Sequence, residues 1–166
     1  EPSRFWVERT VRPVYKVKQD EQTLSATLVQ APSTPVILPG CIAGESLLSQ
    51  IIVDKFLYHL PEYRQAKRFK ELGVEISTSS INRWVHAMAD KLYGLYAAQM
   101  ERVLSASYIQ VDETTHPITD RPGSARKGYI WVVRSVLVPG VFFYYDKGSR
   151  SGEVVLKMLK GYQGVL

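Results

Sequence analysis

A chain of 166 residues has room for one ordinary domain or two small ones, and its 45% hydrophobic and 22% charged residues exclude a disordered or fibrous protein. No apolar run approaches the roughly 18 residues of a membrane span, residues 1–10 lack the apolar stretch of a signal peptide, and a lone cysteine, Cys41, excludes an internal disulfide framework and fits a reducing cytoplasm. The net charge of +5 favours an anionic partner, although an ordinary basic soluble protein has the same balance.

The chain opens on Glu1, not Met, and so reads as a piece of a longer product. Residues 4–17 and 24–29 are rich in β-formers with partial alternation, and polar residues 18–22 between them read as a hairpin turn. Such a hairpin is too small to be stable alone. Residues 31–40 (APSTPVILPG) carry three prolines and read as an extended linker, which puts a domain boundary near residue 38.

Three helices are expected next. Over residues 44–60, Leu48, Ile51, Ile52 and Phe56 recur at helical spacing, with Leu47 and Leu60 flanking the stripe. Pro61 stops that helix and opens a second, which runs to Leu72 with Gly73 as its stop. Arg64, Lys67, Arg68 and Lys70 give the second helix a basic face. Ser77 is a good N-cap for a third, long helix reaching about Leu104, with a stripe of Ile81, Trp84, Val85, Met88, Leu92, Leu95 and Tyr96. Helix, short turn and capped helix is the pattern of a helix-turn-helix, whose second helix offers its first turns to a major groove. Thr78, Ser79, Asn82 and Arg83 are the candidate readers; a helical hairpin with a merely polar surface would show the same pattern.

The remainder reads as β-rich. Strands are expected over 108–112, 127–138 and 141–145, the last two joined by Pro139-Gly140. A helix is expected over 150–160, and a fourth strand begins at 164–166. Three antiparallel strands, a helix and another strand is the opening of a ribonuclease-H-like fold. Its spatial order begins 3-2-1-4, with an Asp at the end of the first strand.

Here that residue is Asp112, in the stretch YIQVDETT. Two-metal phosphoryl transfer needs several carboxylates around ions about 3.5–4 Å apart. Asp112 and Glu113 are neighbours and point to opposite faces of an extended chain. Asp146 ends the third strand, two positions away, roughly 9–10 Å at about 4.8 Å per strand. Asp112 therefore has no evident carboxylate partner in this chain. The alternative is a strand-end acid that caps a turn or pairs with Arg126 or Lys127. Glu113 and Glu153 are expected to face solvent. The loop 148–152 (GSRSG) could hold a phosphate with help from Arg150, or simply cap its helix.

Several segments together resemble transposases of the insertion sequence 66 family. Leu60-Pro61-Glu62-Tyr63-Arg64-Gln65 resembles its Leu-Pro-Leu-Tyr-Arg-Gln signature, with Glu62 in place of a Leu. Ser77 and Trp84-Val85 match the following helix, and Asp112-Glu113-Thr114 matches the first catalytic stretch, with Thr115 where the family usually has Pro. Gly128-Tyr129-Ile130-Trp131 and Ser149-Arg150-Ser151-Gly152-Glu153 match two later segments, and residues 161–166 resemble the lead-in to a second catalytic Asp.

The resemblance implies an α+β chain in three parts. Residues 1–38 would be a β-hairpin remnant of a zinc-finger-like domain, 39–105 a helical DNA-binding region, and 106–166 the first half of a ribonuclease-H-like catalytic domain. It implies an Asp-Asp-Glu enzyme that uses Mg²⁺, with Mn²⁺ as a substitute, to hydrolyse a DNA phosphodiester and then attack target DNA with the freed 3′-hydroxyl. Of the three acids only Asp112 is present, so the isolated chain is expected to be inactive. Val17 and Asp20 stand where many members have a Cys-x-x-Cys pair, so no zinc is expected. DNA (element ends and target) and further copies of the same chain are the implied partners. The implied setting is the bacterial cytoplasm, beside the nucleoid. A non-catalytic DNA-binding or multimerisation module is the alternative reading.

Overall fold

The computed structural model describes residues 4–17, 27–121 and 123–166. The elements run β1 (Val14–Val17), β2 (Thr27–Gln30), α1 (Glu45–Phe56), α2 (Glu62–Glu71), α3 (Thr78–Leu104), β3 (Ile109–Arg121), β4 (Ser124–Ser135), β5 (Val141–Tyr144) and α4 (Gly152–Met158). This is a mixed α and β chain with antiparallel sheets. It divides into two compact units, Glu1–Asp90 and Lys91–Leu166. The sequence pattern places boundaries near 38 and 105; contacts divide the chain once, within α3. No helix among the described residues is long and apolar enough to cross a membrane.

In the first unit β1 and β2 pair antiparallel, from Val14 opposite Gln30 to Val17 opposite Thr27. Arg12 and Gln30 tie the open end: each donates to a backbone carbonyl across the pair, of Ala31 and Arg12 respectively, at 3.0 Å. The expected turn over 18–22 and the position of Asp20 lie outside the described residues. The proline-rich stretch is not a free linker. Leu38 is buried and Ile37 packs on the helical core, as does Phe5, whose ring meets Phe69 edge-on at 5.4 Å.

The core of this unit joins Leu48 and Ile51 of α1, Phe69 of α2 and Ile81, Trp84, Val85 and Met88 of α3. The buried stripe of α1 departs from the apolar pattern. Phe56 is 58% exposed, and the third buried position is Asp54. A buried carboxylate needs partners. Arg68 reaches it with a guanidinium nitrogen, Gln50 donates to Oδ1 at 2.7 Å, and the Asp54 carbonyl takes the Leu60 N–H at 2.8 Å. Gln65, fully buried, donates from Nε2 to the carbonyls of Leu60 at 3.0 Å and Ile51 at 3.3 Å. These polar groups fix the corner between α1 and α2, where His59 takes a left-handed φ of 53°. Gly73, at φ 86°, ends α2 as expected. Ser77 caps α3, accepting the Ser80 N–H at 3.1 Å.

The α3 stripe is not continuous. Leu92 and Leu95, expected in the core, are exposed, because the helix passes there from one core to the other. In the second unit Val103 is fully buried, and Tyr96, Met100 and Leu104 pack on the same cluster. The sheet has the order β3-β4-β5, all antiparallel. Val103, Ala106, Ile109, Trp131, Val133, Phe142, Val154 and Met158 form its core. Past α4 the chain returns to the free edge of β3: Val165 makes a parallel bridge with Tyr108, held by Ile109 N–H to Val165 O at 3.1 Å and Val165 N–H to Ser107 O at 2.8 Å.

Removing Arg68 strands the Asp54 carboxylate in the core. Arg68→Met is expected to lower the unfolding free energy by about 2–4 kcal/mol, read by chemical denaturation. Adding Asp54→Asn to that variant should recover part of the loss. A single variant as stable as the parent would show that Asp54 is not held by Arg68.

Candidate functional site

β3 is much longer than the hydrophobic run 108–112 indicates. Asp112 is not at its end. Thr114, Thr115 and Ile118 are β-branched and continue the ladder against β4 to Ile118 opposite Arg126; after an irregularity, pairing resumes at Arg121 opposite Ser124. Pro117 is tolerated because β3 has a free edge there. The ladder sets Asp112 opposite Val132 and Glu113 opposite Trp131. Side chains alternate along a strand. Ile109 and Val111 face the core, so Glu113 follows them to the same side, while Asp112 shares the other face with exposed Gln110 and Thr114.

Glu113 is not the solvent-facing acid that its position suggests. Its side chain is only 21% exposed, and Arg150 donates to Oε1 from Nε at 2.6 Å and from a terminal nitrogen at 2.5 Å. The hydrogen bond and charge of Glu113 raise the Arg150 guanidinium above its ordinary pKa. The Arg150 guanidinium also lies over the Tyr129 ring at 5.5 Å, and Lys127 lies over the same ring at 5.6 Å.

The loop carrying Arg150 is itself fixed. Lys147 and Gly148 take left-handed φ values of 49° and 71° and turn the chain back along β4. Gly148 O accepts the Tyr129 N–H at 3.2 Å, and Ser149 O accepts the Trp131 indole N–H at 3.1 Å. Ser151 then caps α4 by accepting the Glu153 N–H at 3.2 Å. Both Gly128 and Gly148 lie against Ile118; a Cβ on either would collide with its Cδ1. Asp146 pairs with Lys157 at 2.9 Å, which raises the lysine pKa.

Asp112 has a different setting. Its Oδ1 accepts the N–H of Glu113 at 2.9 Å, and the residue is exposed. Among the described residues, no three His, Cys, Asp or Glu side chains come together to hold a metal ion. One open carboxylate, with Glu113 on the other face, does not make a two-ion site.

The basic and polar candidates of the first unit fall into two groups. Thr78, Ser79, Asn82 and Arg83 are all exposed on the first turns of α3. Lys67 is exposed and lines a shallow cleft with Lys70, Ser77 and Thr78, and Arg64 is exposed, its guanidinium 5.7 Å from the centre of the Tyr63 ring. Arg68 and Arg150, by contrast, are engaged with Asp54 and Glu113. Asn82 donates to Glu62, at 3.2 Å to Oε1 and 3.0 Å to Oε2. Neither the Glu113–Arg150 pair nor the Glu62–Asn82 pair is visible in residue pattern, since 37 and 20 positions separate the partners.

Comparison with known sequences gives the class. Residues 40–166 match the profile of the transposase IS66 family. The chain belongs to that family. It is 32% identical over 171 residues to uncharacterized protein y4hP of Sinorhizobium fredii, covering 99% of this chain and 30% of that protein. It is 29% identical to uncharacterized protein y4jD and 30% identical to uncharacterized protein y4qI of the same organism, each covering 99% of this chain. The chain thus spans about a third of the length of these relatives, 30%, 33% and 31% respectively.

The Glu113–Arg150 pair is partly exposed, which bounds its strength. A double-mutant cycle with Glu113→Gln and Arg150→Met should give a small favourable coupling in chemical denaturation, reduced at high salt. A coupling indistinguishable from zero would mean that the contact does not hold β3 to the loop.

Proposed function

We propose that this chain is the central portion of a DNA transposase, with a hairpin remnant in 1–38, a DNA-binding helical region in 39–105 and the first half of a ribonuclease-H-like catalytic domain in 106–166. Asp112 is its catalytic residue, one of the carboxylates that together hold Mg²⁺, or Mn²⁺, in the full-length protein. The observation that carries this reading is the parallel bridge of Val165 to Tyr108 on the free edge of β3. It extends the sheet order to β5-β4-β3 followed by residue 165, which is the order expected of that fold. If the register continues, the third residue beyond Leu166 stands opposite Asp112. An acid there would give Asp112 the partner it lacks among the described residues. No step of the chemistry is assigned to this chain alone, because one carboxylate does not fix two ions.

In this reading the DNA-binding face is made by Thr78, Ser79, Asn82 and Arg83 on α3 and by Arg64 and Lys67 on α2. Arg68 and Arg150 serve the structure through Asp54 and Glu113, a role compatible with a phosphate lying near either. Element ends and target DNA are the partners, with further copies of the protein in the assembled complex. Action on bacterial DNA places the protein in the cytoplasm, beside the nucleoid.

Asp112→Asn in the full-length protein is expected to reduce transposition by at least 100-fold, with DNA-end binding and thermal stability retained. Unchanged transposition would favour a non-catalytic DNA-binding or multimerisation module. Purified residues 1–166 are expected to show no Mg²⁺-dependent cleavage of duplex DNA; robust cleavage would overturn the assignment of the missing ligands to the rest of the protein.

A further inference from the structure

Glu62 opens α2, yet its side chain is only 11% exposed. Lys55 donates to its Oε1 at 2.8 Å, and Asn82 Nδ2 lies 3.2 Å from Oε1 and 3.0 Å from Oε2. Burial pushes the carboxyl pKa up, but hydrogen bonds from Lys55 and Asn82, with the charges of Lys55 and His86, outweigh burial and leave it below the ordinary value. The group is therefore a carboxylate at neutral pH, a pure acceptor. Only the nitrogen end of the Asn82 amide can face it, so the chemistry settles the amide orientation. Asn82 sits one turn into α3, beside exposed Thr78, Ser79 and Arg83.

An asparagine that is free to turn reads adenine with both ends, nitrogen to N7 and oxygen to the N6 amino group. Here one N–H of the amide is taken by the Glu62 carboxylate, which fixes the amide's flip and leaves its oxygen as an acceptor and its second N–H as a donor. We infer that Glu62 is a specificity-determining residue: by holding one N–H of Asn82 it fixes the orientation of the amide, whose oxygen and second N–H form the acceptor–donor pair that selects adenine. The inference rests on the reading that the first turns of α3 face DNA. Glu62 acts through Asn82 and touches no base. Lys55 balances its charge, so the carboxylate can sit near a phosphate backbone without a net negative charge at that corner.

The test is selection of the full-length protein, and of three variants, on a library of randomised duplex DNA at fixed salt. Asn82→Ala should flatten the preference at one position, by roughly 5- to 100-fold in relative affinity between bases. Glu62→Leu should change the preference at that same position. Glu62→Gln can donate as well as accept and no longer fixes the Asn82 amide, so it should weaken the preference at that position, less than Glu62→Leu does. If Glu62→Leu changes affinity equally for all sequences and leaves the base preference intact, Glu62 acts only as a charge and the inference is overturned. If Asn82→Ala leaves every preference intact while Arg83→Ala weakens binding, the inference falls and the DNA-binding reading stands. If the parent protein binds no DNA even at low salt, that reading falls and the inference with it.

Discussion

The arrangement of the second unit depends on the side-chain alternation of β3. Two acids adjacent in an extended strand cannot share a face. Once Ile109 and Val111 are buried under α3 and α4, Glu113 is carried to the core side and Asp112 to the open side. A one-residue slip of β3 would exchange them, burying Asp112 beside Trp131 and exposing Ile109. The hydrophobic cost of exposing the fully buried Ile109, about 1.5–3 kcal/mol, with a smaller cost for half-buried Val111, sets the register against that slip. Arg150 adds a second restraint, because it can bond Glu113 only in the observed register.

The same device recurs in the first unit. Asp54 and Glu62 are acids on helices whose surroundings are largely closed to solvent, and each is answered by a cation from elsewhere in the helical corner, Arg68 and Lys55. The gain from such pairs in stability is modest, since desolvation offsets attraction. What they provide is a unique geometry. Asp54 fixes the angle at which α2 leaves α1, and Glu62 fixes an amide on α3. Basic residues that look available for an anionic ligand are thereby engaged within the fold. Arg68 and Arg150 are the clearest cases. On α2 and the first turns of α3, the cations that remain exposed without an acid partner are Arg64, Lys67 and Arg83.

Local chemistry made the helices legible. Gly73 and Ser77 act through their own backbone or the next turn, and each stands where the pattern places it; α1, expected to run to Leu60 and stop at Pro61, ends at Phe56. The mixed α and β character and the antiparallel β4–β5 pair were equally readable, from periodicity and from Pro139-Gly140. What could not be read depends on distant residues. β3 runs on to Arg121 because β4 is there to pair with it, and the apolar count of 108–112 says nothing of that. Leu92 and Leu95 keep helical spacing but fall between two cores. Asp54 is polar and buried, and its partner Arg68 lies 14 positions on. Of the candidate site, the placing of Asp112 and Glu113 on opposite faces of their strand was legible, while the attachment of Glu113 to Arg150 was not.

That attachment explains why three short segments matter together. Asp112-Glu113-Thr114, Gly128-Tyr129-Ile130-Trp131 and Ser149-Arg150-Ser151 are far apart in sequence, and each is weak as a motif. In the fold, Glu113 meets Arg150, Arg150 lies over Tyr129, Trp131 bonds Ser149, and Gly128 admits Ile118. Every one of these contacts except the last involves the core side of β3 and β4, away from Asp112. Their joint effect on Asp112 is therefore indirect: they hold its backbone while leaving its carboxylate open. On the proposed reading, in which Asp112 shares an ion with acids elsewhere in the full-length protein, both conditions are needed. A rigid strand without an open face would exclude the ligand, and an open face on a loose strand would lose about tenfold in affinity for each 1.4 kcal/mol spent on ordering it. Pairing a fixed Glu with a free Asp at consecutive positions meets both at once, and only a β-strand, with its period of two, allows neighbours to be treated so differently.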